Sequence, residues 1–162
     1  MRDVKEIKLM RKENGVTLTI LIITVIIMAI IATASIYTGM KIVNMAKFQT
    51  LNTNLLLIQA KVQIISEKAA FEGDDDSLVG TKIDASTRTF WQGKGVDVSE
   101  RTYMIKQDDL NSMGLNNIEA TDEIYYIVDY DDNEIIYVPG YKHGEGLISY
   151  TLTAISELDI NE

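Results

Sequence analysis

Two hydrophobic rhythms follow one another along the N-terminal half of the chain. Positions 16–36 hold no charge, no Gly and no Pro. At about 1.5 Å rise per residue they predict a helix of about 31 Å, the thickness of a bilayer's hydrocarbon core. Further on, Phe48, Leu51, Leu55, Ile58, Val62, Ile65 and Ala69 recur at spacings of three and four, which is one apolar stripe on an α-helix. Thr53, Leu57, Ala60 and Ile64 keep the same spacing on the opposite side, because Leu55 to Leu57 is a turn of about 200°. Two apolar faces imply two partners. Gly73 with Asp74, Asp75 and Asp76 ends the pattern near Phe71, and the only proline, Pro139, lies well beyond it. The spacing therefore predicts one unbroken helix over 16–71, about 84 Å long.

Residues 73–102 mix Gly73, Gly80, Gly93 and Gly95 with Asp, Ser and Thr, which predicts a loop region with at most a short strand or a turn of helix. Trp91, the lone tryptophan, is expected to fill the gap between helix and sheet. After Arg101 the period changes to two. Tyr103 to Lys106 predicts a short strand, and Asp108 as N-cap with Gly114 as stop predicts a helix of one or two turns. Glu123 to Tyr130, Glu134 to Val138 and Leu147 to Leu152, rich in Ile, Val and Tyr, predict an antiparallel meander. In the first of these Ile124, Tyr126, Val128 and Tyr130 share one face and Glu123, Tyr125, Ile127 and Asp129 the other, the expectation for a sheet covered on one side. The fold class is α+β, with a long N-terminal helix packed on a small C-terminal antiparallel sheet. The segments are 1–15, 16–36, 37–71, 72–102 and 103–162.

Charge adds a direction to this layout. The first 15 residues carry Arg2, Lys5, Lys8, Arg11 and Lys12 against Asp3, Glu6 and Glu13, a net +2, so with −9 overall the remainder carries −11. Only Lys41 and Lys47 follow closely on the far side of the apolar run. That asymmetry predicts a single-pass helix in the lipid of the cytoplasmic membrane, with the N-terminus on the inner side and the domain outside. The leader is too short to fold by itself and reads as a targeting segment. The acidic remainder is a poor match for phosphate backbones, so no nucleic-acid partner is expected. The absence of cysteine leaves an exported domain without a disulfide.

The stretch R-K-E-N-G-V-T-L-T-I-L-I-I-T-V-I-I-M resembles the N-terminal signal of type IV pilins and pseudopilins, in which a basic leader ends in Gly before a hydrophobic residue, Thr, Leu and a long apolar helix. The resemblance implies cleavage by a prepilin peptidase between Gly15 and Val16 and N-methylation of Val16. Thr17 and Leu18 match the next two positions of the assembly signal. The implied partners are other pilin or pseudopilin subunits, the peptidase and an inner-membrane assembly platform, and the implied destination is a surface filament. The family usually has a glutamate fifth after the cut, and Ile20 stands there instead. A carboxylate in lipid is disfavoured by about 2.5–3.5 kcal/mol, so a subunit carrying one gains by leaving the membrane for a partner. Ile20 supplies no such drive, as in some minor pseudopilins that initiate or tip a filament. The resemblance thus implies a minor subunit of a type IV pilus or of a secretion or DNA-uptake pseudopilus, machines that share this signal. The order of the C-terminal segments also resembles small pilin-like proteins of Firmicutes.

Two other readings of the N-terminus stay open: an uncleaved membrane-anchored surface protein, and a secreted protein cut after Ala34 in the A-x-A sequence Ala32-Thr33-Ala34. No enzymatic constellation stands out. His143 is the single imidazole, in a Gly-rich turn expected to face solvent, and without Cys no Cys-His pair exists. Asp129, Asp131 and Asn133 alternate as a calcium loop begins, and some major pseudopilins bind calcium in such a loop. Glu134 and Gly140, however, occupy the places of the loop's Gly and closing carboxylate, so an acidic hairpin tip is expected and no metal or cofactor. Seven of the eight tyrosines lie beyond residue 100, where strand propensity accounts for them and an exposed contact belt is the alternative.

Overall fold

The structure, a computed structural model, describes residues 3–158, with the side chains of 3–17, 19, 34 and 36–38 outside the described set. In chain order it comprises α1 (Asp3–Glu72), β1 (Thr81–Lys82), α2 (Ala85–Gly93), β2 (Thr102–Ile105), α3 (Gln107–Ser112), β3 (Tyr126–Asp129), β4 (Glu134–His143), β5 (Leu147–Thr151) and α4 (Leu152–Ser156). The chain divides into two compact units, Met1–Lys47 and Phe48–Glu162.

In the first unit the backbone is helical from Asp3 onward, so the helix begins ahead of the expected start at Val16. No proline interrupts it, and the one glycine of the leader, Gly15, costs a helix only about 1 kcal/mol relative to Ala.

The second unit is built on its share of α1 and on a five-stranded antiparallel meander in the order β1-β2-β3-β4-β5. The helix stops where the acidic run begins: the Gly73 N–H donates to the Ala69 carbonyl at 2.9 Å, and Gly73 adopts φ +77°. Phe48, Leu55, Ile58 and Val62 from the predicted stripe are all buried, against Ile105, Tyr126, Val128, Tyr130 and Ile135 from the sheet. The sheet register aligns Tyr103, Val128 and Ile135 across three strands, and likewise Met104, Ile127 and Ile136. The first row faces α1.

The second row corrects the expectation of a one-sided sheet. Ile127 and Ile136 are completely buried on the face away from α1, under Trp91, Val96, Val98 and Ile83. The cover is α2 and the chain that follows it, in the region read from sequence as loop. Asp84 caps α2, accepting from the Thr87 N–H at 2.7 Å. Trp91 does fill a gap between a helix and the sheet, but that helix is α2 and that face is the far one. Its indole lies edge-on to both Phe90 and Tyr150, with ring centres 5.3 Å apart in each case.

Other boundaries also shift. The helix expected to be capped by Asp108 starts earlier, at Gln107 with Lys106 as its N-cap, because the Asp109 carboxylate accepts the Lys106 N–H at 2.9 Å, and Gly114 then adopts φ +76° after its end. β3 begins at Tyr126 rather than Glu123, while β4 runs five residues longer than Glu134 to Val138, through a register shift between Ile136 and Tyr141. Gly140 sits in that shift at φ +71°, where a Cβ would run into Ile148 and Tyr150. The expected strand residue Leu152 instead opens α4, capped by the Thr151 hydroxyl, and Leu152 and Ile155 close the core on the α1 side.

If both sheet faces are core, Ile127→Ala on the α2 side should destabilise the chain about as much as Val128→Ala on the α1 side, with the former costing about 2–5 kcal/mol. Denaturant unfolding of the two full-length variants measures this. A near-neutral Ile127→Ala would mean that the far face is not packed.

Candidate functional site

In the first unit the described side chains from 18 to 31 other than Thr24 are apolar, on every side of the helix. Leu18, Ile20, Leu21, Ile22, Ile23, Val25, Ile26, Ile27, Met28, Ile30 and Ile31 are all exposed, Met28 at 72%. A helix hydrophobic all round is normally buried by lipid or by other chains. Its few polar groups fit such surroundings. The Thr24 hydroxyl donates to the Leu21 carbonyl at 2.8 Å, Thr33 to Ala29 and Ile30, and Ser35 to Ile31 at 2.8 Å. Each hydroxyl is satisfied within the helix and needs no water. Among the described residues, no helix is long and apolar enough to cross a membrane. The run 16–36 includes five positions, 16, 17, 19, 34 and 36, whose side chains lie outside the described set.

In the second unit the outward face of the helix carries the second stripe. Thr53, Leu57, Ala60 and Ile64 are exposed, Ile64 at 60%. Phe71, seven residues after Ile64 and hence on the same face, is 93% exposed. Leu56 adds a further exposed apolar side chain beside Leu57. Phe71 was legible as a continuation of the spacing, whereas Leu56 falls between the two stripes and carries no periodic signal. The only ion pair on this part of the helix among the described residues is Lys68–Glu72, exposed and contributing little.

The residues of the cleavage and assembly signal divide accordingly. Gly15, Val16 and Thr17 lie in the helical backbone of α1 with side chains outside the described set, while Leu18 and Ile20 are exposed members of the apolar face.

The calcium candidates occupy structural roles. Asp129 is the last residue of β3 and is buried. Its carboxylate accepts from the Ser99 N–H and hydroxyl, both at 2.6 Å, from the Thr102 hydroxyl at 3.0 Å, and from the Asp131 N–H at 3.0 Å. Asp131 instead accepts from Arg101 at 3.0 Å, and the same guanidinium reaches Asp75 at 2.9 Å. Asn133 turns the β3–β4 hairpin at φ +54°, and its carbonyl accepts from Gln59 at 3.0 Å. Among the described residues no three His, Cys, Asp or Glu side chains converge as a metal site.

His143, expected in a solvent turn, ends β4, half-buried and 2.9 Å from the Ser149 hydroxyl. The tyrosines beyond residue 100 pack rather than form an exposed belt. Tyr130 is fully buried, donates to the Val79 carbonyl at 2.9 Å and accepts from the Val79 N–H at 3.1 Å. Burial pushes its hydroxyl up to about 12, as it does that of Tyr126.

No family model matches this chain, and no curated protein or solved structure matches it either.

The two faces of the second-unit helix give opposite responses to substitution. Leu55→Ala, on the sheet-facing stripe, is expected to cost about 2–5 kcal/mol, whereas Ile64→Ser on the outward stripe should change unfolding by no more than about 0.5 kcal/mol. Denaturant titration of the detergent-solubilised monomer measures both, and a large loss with Ile64→Ser would show that the outward stripe is already covered by the chain itself.

Proposed function

We propose that this chain is a pilin-like subunit, cut between Gly15 and Val16, held in the cytoplasmic membrane by its first apolar helix with the second unit outside, and assembled through that helix into a type IV pilus or pseudopilus. The observation that carries this reading is the helix over 18–31, uncovered and apolar on every side, directly after a basic leader and a Gly-Val-Thr-Leu junction. One surface then serves two environments. Lipid solvates it before assembly, and helices of neighbouring subunits replace lipid afterwards, and among the described residues the Thr24, Thr33 and Ser35 hydroxyls already bond their own backbone.

The outward stripe of Leu57, Ile64 and Phe71 supports the same reading, as a second contact for subunits once the helix has left the bilayer. Exposed apolar side chains aligned along a helix stand to gain about 25 cal/mol per Å² of area covered. Ile20 shapes the role of the subunit. Without a carboxylate at this position no charge drives it from lipid to a partner, which suits a subunit present in few copies, entering at initiation or at the tip.

N-terminal sequencing and intact mass of the mature chain test the processing. N-methylated Val16 is expected, while Met1 would identify an uncut anchored protein and Ser35 a secreted one. In cells that hold the peptidase, platform protein and assembly ATPase, Ile20→Glu should leave cleavage unchanged and alter the amount of chain in sheared filaments. Gly15→Leu should leave the precursor uncut.

A further inference from the structure

The layer on the far face of the sheet does more than cover Ile127 and Ile136. Between α2 and the sheet lies an open cleft of about 450 Å³, within the range of small-molecule sites. Ser86, Thr87, Phe90 and Lys94 line it from the α2 side, and Tyr125 and Tyr150 from the sheet side. At its base Trp91 is 3% exposed, while Phe90 stands 56% exposed at the rim. The Lys94 ammonium lies 5.1 Å from the Phe90 ring centre and 4.9 Å from that of Tyr150, and donates to the Tyr150 hydroxyl at 3.2 Å.

The polar inventory of this cleft is specific. Lys94 is the one charged residue lining it, and among the described residues it forms no ion pair. Its bond to Tyr150 uses one of three N–H groups, leaving two for an incoming anion. Tyr150 accepts that bond and keeps its own proton to donate. The Ser86 hydroxyl donates to Asp84 at 2.9 Å, so its oxygen is left to accept. The Asp84 carboxylate that caps α2 is engaged by Ser86 and by the Thr87 N–H and does not line the cleft.

Aromatic faces, a single cation and hydroxyls of both hydrogen-bonding senses complement a ring that has C–H faces, hydroxyl edges and one carboxylate. An extended peptide would use free main-chain groups, and the Val138 N–H at the cleft wall is not one of them, since it already donates to the Tyr125 carbonyl at 3.1 Å. We propose that the cleft between α2 and the sheet binds an acidic carbohydrate, with Lys94 meeting the carboxylate, Phe90 and Tyr150 flanking the sugar ring, and Ser86 and the Tyr150 hydroxyl bonding its hydroxyls. The assignment rests on the second unit alone and does not depend on filament assembly.

Trp91 is the only tryptophan and lies in the cleft, so its emission reports binding without a label. The full chain in detergent micelles is titrated with trigalacturonate, with the neutral trigalactose and with triglutamate. Trigalacturonate should give a saturable change, with trigalactose and triglutamate each at least about tenfold weaker. Lys94→Gln should weaken trigalacturonate binding about tenfold and Tyr150→Phe severalfold, with melting temperatures unchanged. If a variant melts early, competition by free galacturonate on the unmodified chain takes its place, and full displacement is expected. Absence of saturation by trigalacturonate overturns the proposal. So does equal binding of trigalactose, equal binding of triglutamate, undiminished binding by a folded Lys94→Gln, or failure of galacturonate to displace.

Discussion

A β-sheet whose central strands are apolar on both faces has to be covered on both, and this requirement organises the second unit. In β3, Tyr126, Ile127 and Val128 are consecutive and all buried. Because successive residues point to opposite sides, a single covering layer would leave Ile127 and its register partner Ile136 in water. At about 25 cal/mol per Å², exposing two isoleucines would cost several kcal/mol, a large part of the net stability of a small domain. The helix of residues 48–72 answers one face and α2 with its following loop answers the other. The position of Trp91, the placement of the Asp84 cap and the existence of the cleft all follow from the second cover.

The same logic, applied to the helices, separates what is self-sufficient from what is not. Leu55, Ile58 and Val62 find their partners in the sheet. Leu57, Ile64 and Phe71 stay exposed in their own unit, and so do the described large apolar side chains between 18 and 31 in theirs. Exposed apolar surface of this kind is a mark of protein or membrane interaction sites. The proposed filament subunit uses both surfaces.

Those polar residues hold the connections in place. Asp129 gathers donors from Ser99, Thr102 and Asp131, fixing the chain that covers the far face to the end of β3. Arg101 bridges Asp75 and Asp131, and Tyr130 clasps Val79 through both N–H and carbonyl. The loop after α1 is thereby tied to the β3–β4 corner at several points. A carboxylate so fully supplied with donors has little left for a cation, and its burial is tolerable only because those donors replace water.

Periodicity alone determined the apolar run at 16–36, the two stripes of the amphipathic helix, the stop at Gly73 and the meander, because each is a local pattern repeated over many residues. The Gly15–Val16 junction was likewise a local motif, visible without any fold. What only the tertiary structure decided is which surfaces meet. Residues 73–102 are short in hydrophobic repeats, so α2 could not be read from them; it forms because Trp91 and Val96 have a sheet face to cover. The alternation in β3 looked one-sided because Ile127 was grouped with Glu123 and Asp129, and only the fold shows that Asp129 is buried and paired. The cleft joins Phe90 and Lys94 to Tyr125 and Tyr150, residues separated by tens of positions, and no spacing along a chain encodes a contact made across two layers.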